Sequence, residues 1–196
     1  MKTVSMFRVL VALALLCAFG STVPHANAQR ETVRIRKVTA VPVKTPEYTI
    51  RGSAFSQPRV RDWLQISVEY ETSEDWTDEL EFTFHVLLKG RDAKADPFSL
   101  LNGSISYINV QKDRKLMAVM YVHPSIMTRF GSMEGVAVEV KQNGRPVAVD
   151  GTGNWQPWQT WLRQLSPKAG FVMRPDQTPF AVAAGDDYEM VKPVTR

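Results

Sequence analysis

Cysteine is nearly missing from this chain. The only one in 196 residues is Cys17, inside an apolar stretch near the start. Everything downstream therefore lacks a disulfide, a thiolate nucleophile and a Cys-based metal site, and must fold on its hydrophobic core alone. Histidine is scarce as well: beyond the first thirty positions only His85 and His123 remain for acid–base or metal chemistry. Charge of one sign is also lacking, since 24 basic residues stand against 20 acidic ones, a balance that gives little reason to expect nucleic acid. Long hydrophobic runs are absent too. The most apolar run, residues 9–19, falls short of the ~20 residues of a membrane-spanning helix.

That run has a different meaning. Lys2 and Arg8 lead into it, and the small-residue triplet Ala26-Asn27-Ala28 follows it. This is the layout of a secretory signal peptide cleaved after Ala28. Leu15-Leu16, ahead of Cys17, lack the small residue that lipoprotein processing expects, so Cys17 reads as an apolar-region residue that leaves with the signal. The expected organisation is a signal peptide at 1–28, a folded domain at 29–150 and a C-terminal extension at 151–196. Export places the protein in the periplasm, at the outer membrane or outside the cell, with no transmembrane span in the mature chain.

Period-two alternation dominates the middle of the chain. Leu64, Ile66, Val68 and Tyr70 alternate with Gln65, Ser67, Glu69 and Glu71. Leu80, Phe82, Phe84, Val86 and Leu88 alternate with Glu79, Glu81, Thr83 and His85. Both read as strands of a sheet with one wet face. Earlier, Val33, Ile35, Thr39, Val41 and Val43 share one parity, and Pro42 marks an edge or a bulge. Tyr48 to Arg51 reads as a short continuation. Lys112-Asp113-Arg114-Lys115 reads as a hairpin turn between strands 101–111 and 116–122, the second apolar on both faces and so central. Residues 124–131 suit a helical crossover between sheets. Val136, Val138 and Val140 resume the alternation, and Asn143-Gly144 marks a tight turn closed by Val147 and Val149. About seven strands without a long helix predict a mainly β fold, an immunoglobulin-like antiparallel β-sandwich, with a closed barrel as the alternative.

After Asp150 the pattern changes. Asn154 is placed to cap a helix, and Trp155, Trp158, Trp161, Leu162 and Leu165 then recur at helical spacing, up to Ser166-Pro167. The expectation is a short Trp-rich helix packed on the sandwich, with Trp155, Trp158 and Trp161 as the candidate partner or glycan contacts. Residues 170–173 and 180–184 read as extended.

Catalytic constellations are weak. His123, Ser125 and Asp113 allow a Ser/His/Asp arrangement to be drawn, but no Gly-x-Ser-x-Gly elbow surrounds Ser125. The acid pairs Glu69/Glu71 and Glu79/Glu81 fit a solvated strand face better than glycosidic chemistry. Met117, Met120, His123 and Met127 have the composition of a thioether copper site, yet Met117 and Met120 point to opposite faces of a strand. Asp150 to Asn154 and Asp186-Asp187 lack the spacing of a calcium loop. No catalytic residue, metal or cofactor is expected. Asn102-Gly103-Ser104 matches a glycosylation sequon.

The segments Trp63-Leu64-Gln65-Ile66-Ser67-Val68-Glu69-Tyr70, Leu80-Glu81-Phe82-Thr83-Phe84 and Asp176-Gln177-Thr178-Pro179-Phe180-Ala181 resemble those of small exported proteins of verrucomicrobial bacteria, among them type IV pilus-associated immunoglobulin-like proteins. The resemblance implies a sandwich at the envelope or surface with a non-enzymatic part in pilus assembly or host contact. The reading is a non-catalytic envelope or surface protein working through protein–protein contact, with envelope or pilus proteins, or a host surface glycan or protein, as partners. A carbohydrate-binding module using the tryptophans is the alternative, and a small secreted hydrolase the third.

Overall fold

The computed structural model describes residues 32–47, 60–90, 97–182 and 188–193. The expected signal peptide, the piece at 48–51 with its connection to residue 58, most of the loop before Pro97, and the pair Asp186-Asp187 lie outside the described residues. The described chain runs β1 (Val33–Lys44), β2 (Asp62–Thr72), β3 (Trp76–Lys89), β4 (Phe98–Gln111), β5 (Leu116–Val122), α1 (Pro124–Phe130), β6 (Ser132–Gln142), β7 (Arg145–Gly153), α2 (Trp158–Gln164), β8 (Lys168–Ala169) and β9 (Val172–Met173). Two 3-10 turns follow, at Pro175–Gln177 and Pro179–Ala181. The strands form two sheets, ordered β1-β2-β5-β9 and β7-β6-β3-β4-β8. All pairings are antiparallel except β4 with β8. The protein is a mainly β, two-sheet sandwich, and its neighbour order β1-β2-β5 facing β7-β6-β3 is the immunoglobulin-like arrangement.

The alternation read from the sequence builds the core. Ile66, Val68 and Tyr70 from β2 meet Leu80, Phe82, Phe84, Val86 and Leu88 from β3, all fully buried, and Val136, Val138 and Val140 of β6 join them. Tyr70, Phe82 and Tyr107 form an aromatic spine with ring centroids 4.8 and 5.7 Å apart. The Asn143-Gly144 turn has φ of 52° and 73° at its two positions, the paired left-handed geometry of a two-residue hairpin. As expected, α1 carries the chain from β5 in the first sheet to β6 in the second.

Four expectations need correction. β1 lies at a sheet edge and holds Pro42, but its parity is not single. Val33 and Val38 are both buried although five residues apart, because a bulge between Ile35 and Lys37 shifts the register. Past it Ala40 faces the core, while Val41 is exposed. Second, Lys112-Asp113-Arg114-Lys115 is no hairpin turn. It carries the chain from β4 in one sheet to β5 in the other, and alternation alone cannot say which strands are neighbours. Third, α2 starts at Trp158, with Pro157 at its N-cap and no side-chain cap; Asn154 caps nothing, because the turn at Pro157 intervenes. Fourth, Pro179–Ala181 is a 3-10 turn rather than extended, its start fixed by the Thr178 hydroxyl accepting from the Phe180 N–H at 3.2 Å.

The segment after β7 laces one side of the sandwich. β8 adds to the outer edge of β4 at Leu101 and Asn102. Gly170 turns the chain with φ of 82°, and Val172 enters the core beneath Gly103. A Cβ at Gly103 would sit 2.5 Å from the Val172 carbonyl oxygen, so only glycine allows this approach. β9 then pairs with β5. Phe180 stacks on Tyr121 at 4.4 Å and meets Trp63 edge-on at 5.8 Å. The tail returns to β4, where the Ile108 N–H donates to the Met190 carbonyl and the Lys192 N–H to the Ser106 carbonyl, at 2.9 and 2.8 Å. Inside this seam the Tyr107 hydroxyl accepts from the Val119 N–H at 3.1 Å, tying β4 to β5.

Candidate functional site

The outer face of the five-stranded sheet carries the least ordinary chemistry among the described residues. Alternation sends Glu79, Glu81, Thr83, His85 and Leu87 outward from β3, with Leu100, Asn102, Ser104 and Ser106 beside them on β4 and Ala137, Glu139 and Lys141 on β6. One end of this face is apolar. Leu87, Leu100 and Ala137 are covered by Trp161, itself 6% exposed, with Trp155, Trp158 and Leu165 packed around them. Leu162 faces away and is exposed.

His85 sits where the cover ends. Its phase is the outward one, as expected, but it is not wet: it is 7% exposed and the Trp158 ring stacks on it at 5.4 Å with the planes 26° apart. Burial holds its pKa below the ordinary histidine value; Glu139 opposes that shift and Lys141 adds to it. Asn102 is its direct cross-strand partner. The His85 Nδ1 and Asn102 Oδ1 atoms are both buried without a hydrogen-bond partner among the described residues.

Beyond His85 the face opens into a groove of about 410 Å³. Its floor is Glu81, Thr83, Asn102 and Ser104, and the lacing segment supplies Arg174 and Gln177. Arg174 grips the Asp176 carboxylate through Nε and Nη2 at 2.9 and 2.6 Å, so its charge is balanced. Sequence reading missed this groove because polar residues at alternating positions look like any solvated strand face. The one local sign was the sequon at Asn102. Asn102 lies mid-strand with its Oδ1 buried, and Gly103 packs on Val172, so the sequon is not presented on an accessible loop.

The other candidates resolve individually. Trp155 lies against Gly151, where a Cβ would come 2.5 Å from the indole Cγ. His123 and Ser125 do meet, with Nδ1 and Oγ 2.7 Å apart, but the same Nδ1 accepts from the Ser125 N–H at 3.1 Å. The imidazole is the N-cap of α1. Asp113 lies at the opposite end of β5, its Oδ1 accepting from the N–H groups of Arg114 and Lys115. The three are not brought together. Burial and the nearby Arg61 hold His123 below the ordinary histidine value. Glu71 pairs with Arg34 and Arg36. Glu79 binds Lys192, which lowers its pKa. Met120 is buried in the core while Met117 occupies the opposite face of β5, so the thioethers do not converge. Asp150 accepts from the Gly151 N–H at 2.7 Å. Among the described residues no three His, Cys, Asp or Glu side chains form a metal-binding group, and no helix is long and apolar enough to cross a membrane.

Comparison with known proteins finds a family model and solved structures that the chain resembles. A protein-family model matches residues 24–195. A crystal structure of a protein from Akkermansia muciniphila, a verrucomicrobium, superposes with a TM-score of 0.71 at 20% identity, covering 83% of this chain and 94% of that one. At that identity the likeness is one of fold. No curated protein matches the chain.

Proposed function

The chain belongs to the family whose model matches it over residues 24–195, and from that premise we propose that it is a non-catalytic exported protein of the cell envelope or surface that works through contact with other proteins, as in type IV pilus assembly or host contact. The observation that carries this reading is the open side of the sandwich. There β1 and β7, the outer strands of the two sheets, lie together. Unpaired strand edges present rows of backbone donors and acceptors to another chain, and Val41 on β1 and Val149 on β7 are exposed beside them. The tryptophans support the same reading over a sugar platform, because Trp161 is buried and Trp158 is stacked on His85.

Co-purification from the native cell envelope, with partners identified by mass spectrometry, tests the proposal. The expected result is recovery with envelope proteins, reduced in a Val149→Lys variant that melts like the parent. Recovery of the protein alone from the cytosol would end the reading, and so would equal partner recovery with Val149→Lys and with a second edge variant, Val41→Lys.

A further inference from the structure

We infer that the groove between β3, β4 and the lacing segment is a binding site for a neutral saccharide unit, separate from the tryptophans and independent of the partner-protein reading. Its size, about 410 Å³, falls within the ~300–1,000 Å³ of small-ligand sites. Its lining offers one carboxylate, two side-chain amides, two hydroxyls and a guanidinium, from Glu81, Asn102, Gln177, Thr83, Ser104 and Arg174. Donors and acceptors thus share one space, a mixture that the vicinal hydroxyls of a sugar ring can satisfy, since each hydroxyl both donates and accepts.

Charge narrows the class. Arg174 is neutralised by Asp176, and Lys141, the cross-strand neighbour of Glu81, is held by Glu139 at 3.1 Å. Glu81 has no cation within ion-pair distance among the described residues, so an acidic ligand meets an unbalanced carboxylate. An extended peptide is excluded by the edge itself. β4 is already paired with β8 at Leu101 and Asn102 and with the tail at Ser106 and Ile108, leaving too short a gap between them for strand addition.

Asn102 gives the groove an unmet demand. It lines the space while its Oδ1 lacks a partner, and a buried unpaired acceptor is destabilising. The amide torsion of asparagine is broad and roughly two-fold, so rotation turns either end to a ligand hydroxyl and relieves that cost.

Saturation-transfer NMR on the full chain, with galactose, N-acetylglucosamine and N-acetylgalactosamine as probes and glucuronate as the acidic comparator, decides the matter. The expected result is transfer to at least one neutral sugar, weaker transfer to glucuronate, and a shift of the Asn102 side-chain amide resonances. Glu81→Gln should weaken neutral-sugar binding about tenfold, the effect of losing one charge-assisted hydrogen bond, and Ser104→Ala about threefold. Both positions lie on the open face, and an unchanged melting temperature confirms that each variant folds. Absence of transfer to every neutral sugar overturns the proposal. So do glucuronate binding as tight as theirs, shifts at the tryptophan indoles in place of Asn102, and unchanged affinity in a folded Glu81→Gln.

Discussion

The two long sides of this sandwich are finished in opposite ways. Along β4 and β5 the chain closes its own seam: β8, β9, the 3-10 turns and the tail occupy the strand edges, and Phe180 and Val172 fill the gaps behind them. Along β1 and β7 the two end strands lie beside each other and no further strand of the described chain pairs with either, so each carries its own protection. β1 has its bulge, Pro42 and the Arg34 and Arg36 pairs with Glu71. β7 has Pro146, and it turns Asp150, the register partner of core-facing Val138, toward the interior. Bulges, prolines and inward charges are the devices that keep an edge from pairing indiscriminately. One side is sealed by sequence far along the chain, the other is only guarded, and a guarded edge remains open to a chosen partner.

Removing the lacing should produce the largest effect. A chain ending after Gly153 keeps every strand from β1 to β7 but uncovers Leu87, Leu100 and Ala137 on one sheet and Val119 and Tyr121 on the other. Exposed apolar patches of this kind drive aggregation. We expect loss of a cooperative melt or self-association in sedimentation. A monomer that unfolds as sharply as the parent would mean that the two sides do not differ in kind.

Next in size are single residues of the Trp-rich segment. Trp161→Ala should cost about 3–5 kcal/mol, whereas Leu162→Ala, one residue further on and exposed, should stay within about 0.5 kcal/mol. Urea titrations measure both. Equal costs would show α2 docked by another face.

This pair also marks how far the sequence could be read. Alternation in β2, β3 and β6 and the Asn143-Gly144 turn were legible because a sheet with one buried face writes its period directly into the residues. The tryptophan spacing was legible as well, but Leu162 follows Trp158 at i+4 and so shares its stripe; spacing could not say that the sheet meets the Trp161 and Leu165 side of that stripe and leaves Leu162 exposed. What stayed hidden depends on partners distant in sequence. His85 and Leu87 sit on an outward phase and are buried only because residues some seventy positions later fold over them. The bulge in β1 leaves no local mark, and the groove at Glu81 and Asn102 exists only because Arg174 and Gln177 return to it.

A smaller loss is expected inside the laced seam. Tyr107→Phe keeps the ring against Phe82 but removes the oxygen that accepts from the Val119 N–H. That donor is then left buried and unpaired, at a cost of about 1–3 kcal/mol. Hydrogen exchange at the Val119 amide should accelerate in the variant. Unchanged protection there would mean that β5 does not depend on β4 for this bond.

The smallest effect separates the sides by pH. Both described histidines lie away from the β1/β7 edges, and both have pKa values held below the ordinary one: His85 by burial beneath Trp158, with Lys141 assisting against Glu139, and His123 by burial and Arg61. When a folded-state pKa is depressed in this way, the unfolded chain takes up protons first as pH falls. The stability contribution is therefore complete above the unfolded-chain value of about 6.5 and is lost as pH falls from there through the folded value. Glu79, also depressed, acts in the lower carboxylate range and leaves this window clear. Thermal melts across the histidine range should show the parent weakening toward acid. His85→Phe, which keeps a ring for Trp158, should make that dependence shallower, and adding His123→Asn, a residue suited to capping α1, should flatten it further. An identical acid slope in His85→Phe would mean that His85 protonates without disturbing the cover above it, and the laced side would then be no more sensitive to pH than the open one.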